Sequence, residues 1–138
     1  MQKYVLAIAE TPGDQIVLVE KNRPKWQAGL YNFVGGKVEE GETALMAMQR
    51  EFMEETGVLF SDWTEIGTMA RDGGFHIDVF YACDPSFACA TTFDEPIFVA
   101  SYEAFAYEFS QGKCVSGLMW LYHMAKDPDK KKFHVSYE

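Results

Sequence analysis

The sequence predicts an α+β fold, an α-β-α sandwich built on a mixed β-sheet. Three observations lead there. Short β-rich runs recur along the chain, one long stretch with helical punctuation interrupts them, and a second helical region precedes a final short strand. A length of 138 residues with 48% apolar and 15% aromatic content suits one globular domain, residues 1–138, with a proper core.

Taken in order, Tyr4–Ala9 and Ile16–Val19 are apolar runs separated by the turn residues Thr11-Pro-Gly-Asp, so the two read as a hairpin. Residues 21–29 are polar and read as a loop. Tyr31-Asn-Phe-Val is a short strand feeding Gly35-Gly36, a common way to bring backbone close to phosphate or metal. Thr43 is a plausible N-cap, and Gly57 stands where a helix ends in a left-handed residue. Beyond it, residues 63–71 and 75–83 are strands joined at Gly73-Gly74. Residues 84–92 form a small-residue loop. A strand at 97–100, helices at 102–109 and 115–125, and an edge strand at 133–135 after the solvated Lys130-Lys-Lys complete the chain.

Composition narrows the function. The formal net charge of −9 disfavours a duplex nucleic-acid binder, which needs a basic face. A polyanionic small molecule would have to bring its own cations. Three cysteines without a C-x-x-C suggest neither a disulfide framework nor a zinc site, and the three scattered histidines read as structural or surface residues. The apolar run at the N-terminus is too short for a signal peptide or a membrane span, so the cytoplasm is the expected compartment. Monomer and homodimer are both open.

The chemistry concentrates between Gly36 and Val58. Glu51, Glu54 and Glu55 stand at i, i+3 and i+4, so all three project from one helical face. Like charges stacked this way repel, and the arrangement makes sense if a cation lies between them; oxygen ligands suit Mg²⁺ or Mn²⁺. On the helical wheel Ala44 and Ala47 share that face and leave room above the carboxylates. Leu45, Met48 and Phe52 fall beside it and would pack on a sheet. Arg50 could orient one carboxylate through a bidentate pair. Lys21, Arg23 and Lys25 are the densest basic group in the first half of the chain and could either meet phosphates or be a solvated loop. Tyr31, Phe33, Phe75 and Trp26 are aromatic candidates for stacking on a flat ligand, Trp26 the foremost because it sits in a polar loop.

Gly36, Glu42, Arg50, Glu51, Phe52, Glu54, Glu55, Gly57 and Val58 match the pattern G-x5-E-x7-R-E-U-x-E-E-x-G-U, where U is bulky and apolar. This stretch resembles the box of the Nudix hydrolases. The resemblance implies the Nudix fold and hydrolysis of a nucleoside diphosphate linked to a further group. It implies Mg²⁺ (or Mn²⁺) held by Glu51, Glu54, Glu55 and the carbonyl of Gly36, with Glu42 and Arg50 orienting them. The general base would be Glu51, or an acid from a distal loop, here Glu95 or Asp94. Residues 29–43 are similar to the MutT-type enzymes that clear oxidised purine nucleoside triphosphates, in which an Asn at the position of Asn32 contacts the base. The tail Lys130-Lys-Lys-Phe-His is similar too, whereas Ser110-Gln-Gly-Lys-Cys lacks the paired aspartates of those enzymes. Asn32, Trp26, Arg23 and Lys37 are the expected substrate contacts.

The expected activity is a nucleoside triphosphate pyrophosphatase that sanitises the nucleotide pool. The alternatives are a hydrolase of ADP-ribose, nucleotide sugars or dinucleoside polyphosphates, and a domain that senses nucleotides without catalysis; retention of every box glutamate speaks against the last.

Overall fold

The computed structural model describes residues 1–129 and 131–138; Lys130, the first of the lysine run, lies outside the described residues. Among the described residues, eight strands form one mixed sheet: β1 (Gln2–Glu10), β2 (Gln15–Glu20), β3 (Tyr31–Asn32), β4 (Val34–Lys37), β5 (Thr64–Arg71), β6 (Phe75–Cys83), β7 (Ile97–Ser101) and β8 (Phe133–Tyr137). Helix α1 (Ala44–Thr56) covers one face; α2 (Tyr102–Ser110) and α3 (Leu118–Lys126) cover the other. The α-β-α sandwich and mixed sheet expected from the element order are therefore present.

The expected β1–β2 hairpin needs correction. The two strands share only the pair Glu10↔Ile16. Each strand has two edges, and those of β1 are taken elsewhere. Its whole length runs parallel to β6, and Tyr4–Ala7 pair antiparallel with β4. Strand β2 pairs instead with β7 and, at Val19 and Glu20, with β3. The segment 31–37 thus changes partner at Phe33, leaving β2 and joining β1. Phe33 itself is buried in the core and cannot stack on a ligand. Other differences are local. Residues 25–27 and 85–89 form short 3₁₀ turns inside the expected loops. Helix α3 starts at Leu118, three residues later than expected, after Gly117 at φ 85°.

Two hydrophobic clusters lie on the two sheet faces. Under α1 are Val5, Ala7, Val17, Val34, Met48 and Phe52, extended by Phe60, Trp63 and Phe87. Phe52 meets Trp63 and Phe87 edge-on at centroid distances of 5.0 and 5.2 Å, the geometry that ring quadrupoles prefer. On the opposite face Ile8, Ile16, Leu18 and Phe105 pack against Leu118, Leu121 and Tyr122. A buried carboxylate pins this second layer. Glu10, fully buried, accepts hydrogen bonds from Tyr81, from the Tyr122 hydroxyl at 2.9 Å and from Lys126 Nζ at 2.7 Å. The three histidines make ordinary polar contacts, for example His76 with Asp78 and His134 with Thr68. Among the described residues no helix is long and apolar enough to cross a membrane.

Candidate active site

Helix α1 is built as its punctuation requires. Thr43 Oγ1 accepts from the Met46 N–H at 3.1 Å, and Gly57 ends the helix at φ 77°. Its inner face is Ala47, Met48, Phe52 and Thr56, all buried. This corrects the wheel in two places. Leu45 is exposed and does not reach the sheet, and Ala47 is sealed in the core, so it leaves no space above the carboxylates.

Glu51 and Glu55 flank the buried stripe and are half-buried, while Glu54 is exposed. The Glu51 carboxylate lies directly against the α-carbon of Gly36 on β4, where a β-carbon would overlap it. A side chain at this position would have to push the Glu51 carboxylate out of its place. Burial raises the pKa of both Glu51 and Glu55; Arg50 opposes the effect at Glu51, and the charges of Glu51 and Glu95 add to it at Glu55. Glu55 Oε2 is buried and has no hydrogen-bond partner.

Arg50 organises the rest. It grips Glu42 bidentately, with Nε to Oε2 at 2.7 Å and Nη2 to Oε1 at 2.9 Å. Its Nη1 reaches Glu51 Oε1 at 2.9 Å and Glu54 Oε2 at 3.1 Å, and Nη2 also donates to the Lys37 carbonyl at 2.9 Å. The Glu42 carboxylate accepts in addition from the Glu39 N–H at 2.8 Å. These bonds, Arg50 first, hold its pKa down at about 2. One guanidinium therefore ties the loop before the helix, the glycine strand and two of the three acidic residues together.

The expected substrate contacts are dispersed. Lys37 is exposed on β4, beside Gly36. Asn32 spends its amide internally, donating to Gln27 Oε1 at 3.0 Å and accepting the Phe33 N–H at 2.7 Å, where the strand changes partner. Trp26 stands 68% exposed in its loop. Arg23 is paired with Asp94 and Lys21 with Glu95 at 2.7 Å, so an acidic turn some seventy residues away neutralises most of the basic loop. Phe75 packs on Tyr137 at 5.7 Å, and Tyr31 faces the α2 side against Phe98 at 5.6 Å. The Tyr31 backbone hydrogen-bonds with Lys113 and Val115, which brings the segment 113–115 alongside β3 and thus beside Asn32.

Glu95 is 3% exposed, just before β7. Its Oε1 accepts from Lys21, and its Oε2 accepts from the N–H groups of Asn22 and of Arg23 at 3.3 Å. Burial works against its ionisation, but these donors outweigh it and leave its pKa lowered. A carboxylate so engaged is a poor proton acceptor. Sequence reasoning had no signal for this clamp, since its members are far apart in the chain.

Could the acidic set hold a cation? Among the described residues no three Asp, Glu, His or Cys side chains converge as a ready cage. Glu51 and Glu54 are turned onto Arg50. Even so, the donors are all oxygens, Glu55 has an orphaned buried oxygen, and Gly36 is open for Glu51 to lie on its backbone. These features fit a hard divalent cation.

A helix with this acidic face, laid over a glycine strand of a mixed sheet, defines a known class. Residues 2–106 match the NUDIX domain, and the chain belongs to that family. It is similar to the CTP pyrophosphohydrolase of Escherichia coli (strain K12), with 43% identity over 58 residues, or 42% of each chain. The match thus spans under half of that relative's length. In fold it is similar to the MutT protein of Bacillus halodurans, at TM-score 0.70 and 21% identity over 99% of this chain and 91% of that one. It is equally similar to the NUDIX domain of Shewanella oneidensis NrtR, solved with ADP ribose, at TM-score 0.71 and 18% identity over 90% and 85% of the two chains.

Proposed function

We propose that this chain hydrolyses a phosphoanhydride in a nucleoside diphosphate linked to a further group, with nucleoside triphosphates as the leading substrates and nucleoside monophosphate and pyrophosphate as products. The observation that carries this reading is the unpartnered buried oxygen of Glu55 beside Glu51, whose carboxylate fills the side-chain space of Gly36. Glu51, Glu54, Glu55 and the Gly36 carbonyl would hold Mg²⁺ or Mn²⁺, which when bound neutralises the diphosphate and polarises the bond to be broken.

The chain's own residues supply the remaining parts. Glu51, whose carboxylate lies against the Gly36 backbone, takes the proton of the attacking water. Arg50 holds Glu51 through Oε1 alone, so the hold on one oxygen orients the other. Water adds to phosphorus, the bridging oxygen departs with its half of the anhydride, and the proton held on Glu51 returns to solvent. Asn32, Trp26 and Lys37 would meet the nucleoside and its phosphates, and the segment 113–115 lies where it can shape the base pocket beside Asn32. The similarity to a CTP pyrophosphohydrolase supports placing CTP among the first candidates. The fold shared with an ADP ribose complex keeps the diphosphate-linked sugars as the second reading.

The test is a product-release assay over nucleoside triphosphates, their oxidised forms, ADP-ribose and nucleotide sugars, with Mg²⁺ or Mn²⁺. Pyrophosphate release from a triphosphate is expected, and Glu55→Gln should lower its rate at least about a hundredfold while the thermal transition is kept, since loss of a mere supporting residue already costs about 10–100-fold. Hydrolysis of none of these compounds, or a near-normal rate in Glu55→Gln, would sink the assignment.

A further inference from the structure

Helix α1 presents a second apolar face to solvent. Opposite the buried stripe of Ala47, Met48 and Phe52, Met46 and Met53 stand two turns apart on its outer side, 52% and 44% exposed. Leu59, 78% exposed in the segment after Gly57, borders the same surface. With Gln49 among them, these side chains line a shallow groove of about 520 Å³. Single exposed apolar residues are ordinary, but neighbouring ones that share a groove rimmed by polar groups are the mark of an interaction surface. Methionine suits that task, because its flexible thioether adapts to the partner it meets.

The rim decides what can lie there. Glu42 and Glu54 form one wall of the groove with Arg50. Glu39 stands 3.6 Å from Arg50 Nη1, and Asp62 follows Ser61, whose carbonyl accepts from Gln49 Nε2 at 3.5 Å. The cation of this wall, Arg50, has its donors already spent on Glu42, Glu51, Glu54 and the Lys37 carbonyl. Four carboxylates thus surround the apolar floor with one committed guanidinium among them. A second copy of the chain would bring the same acidic rim against itself, and like charges set face to face oppose association. We propose that the outer face of α1 docks an amphipathic helix of another protein, its apolar stripe on Met46, Met53 and Leu59 and its lysines or arginines over the acidic rim. Such a helix lays residues at i, i+3, i+4 and i+7 into an apolar groove, and basic flanks complement the carboxylates. The three anchors take no part in the proposed chemistry, so this surface can be altered without touching the acidic face of α1.

The experiment is fluorescence anisotropy with a labelled helical peptide of leucine and lysine, its leucines placed on one face. One control peptide has the same composition shuffled so that the leucines no longer share a face; the other has glutamate for every lysine. The proteins are the wild type and the triple variant Met46→Ser, Met53→Ser, Leu59→Ser, with a thermal melt and light scattering of each. The wild type should bind the first peptide at least about tenfold more tightly than either control, and the triple variant should lose at least about tenfold of that affinity with its melting curve unchanged. Light scattering should give both proteins the same mass. Wild-type affinity in the triple variant overturns the proposal. So does equal binding of the shuffled peptide, which would mean plain attraction to an acidic chain, or of the glutamate peptide, which would leave the rim no part. A wild-type dimer that the triple variant breaks would assign the face to a second copy and overturn it too. Should the triple variant fail to fold, Met53→Ser alone decides: binding several-fold weaker is expected, and unchanged binding overturns the proposal.

Discussion

At the scale of single residues, the site depends on one guanidinium. Arg50 makes bonds that a lysine cannot reproduce, because only a planar fork can hold Glu42 at two oxygens while reaching Glu51 and Glu54. Arg50→Lys keeps the charge and loses the fork; it should lower turnover about 10–100-fold with little change in melting temperature. An unaltered kcat would show that charge alone suffices. Glu42 gives a pH signature. Its pKa falls from the ordinary 4.5 to about 2 on folding, so its stabilising contribution is complete above the higher value and disappears as the pH falls through the lower one. Acid unfolding of Glu42→Gln should therefore be less steep than that of the wild type between those two values. Parallel curves, followed by circular dichroism, would remove Glu42 from the acid response. What the sequence made legible at this scale was that Arg50 stands beside Glu51 and Glu54, because a helix converts spacing into neighbouring side chains. Partners across the chain were hidden: nothing local in Lys21 or Arg23 announces that Glu95 and Asp94 will neutralise them.

At the scale of elements, α1 is the best-defined piece, and its ends show why. Thr43 and Gly57 were readable as caps, and both perform that task. Thr43→Ala removes the acceptor for Met46 and should cost about 1 kcal/mol in urea unfolding; a loss below a few tenths would mean that neighbouring water replaces the hydroxyl. The phase of the helix was less legible. Leu45 was assigned inward, but the stripe of Ala47, Met48 and Phe52 is rotated so that Leu45 stays out. Hydrophobicity alone could not choose between two adjacent stripes on a helix that also carries Met46 and Met53 on its outer side. Strand partners were beyond reach for a related reason. The β1–β6 pairing is parallel and joins residues 73 apart, so adjacency in sequence favoured the hairpin, of which the sheet uses only one pair.

At the scale of the whole molecule, the two faces of the sheet have different cements. The α1 side is held by apolar and aromatic packing, the α3 side by packing plus the buried Glu10. Tyr122→Phe removes one of three donors from that carboxylate and leaves the ring in place. It should destabilise the fold by about 1.5–3 kcal/mol, the range for a hydrogen bond to a charged group, with the acidic face of α1 untouched. A variant as stable as the wild type would mean that Tyr81 and Lys126 satisfy Glu10 by themselves. The overall sandwich was legible because alternating strand and helix signals constrain layering. The polar pin was not, since the partners of Glu10, namely Tyr81, Tyr122 and Lys126, lie far along the chain from it.

The change of partner at Phe33 has a consequence for what the enzyme accepts. One unbroken piece of backbone runs from Asn32, beside the segment 113–115, to Gly36 under Glu51. Four residues of extended chain span at most about 13 Å. With the substrate contacts proposed above, that piece would act as a gauge, setting how far the group held at Asn32 lies from the bond cut beside Gly36. Lengthening it by one residue would also turn every later side chain to the opposite face, so this distance cannot be adjusted in small steps. New ligands would have to be accommodated at the ends of the gauge, in the loops around Trp26 and Lys113, while its length stays the same.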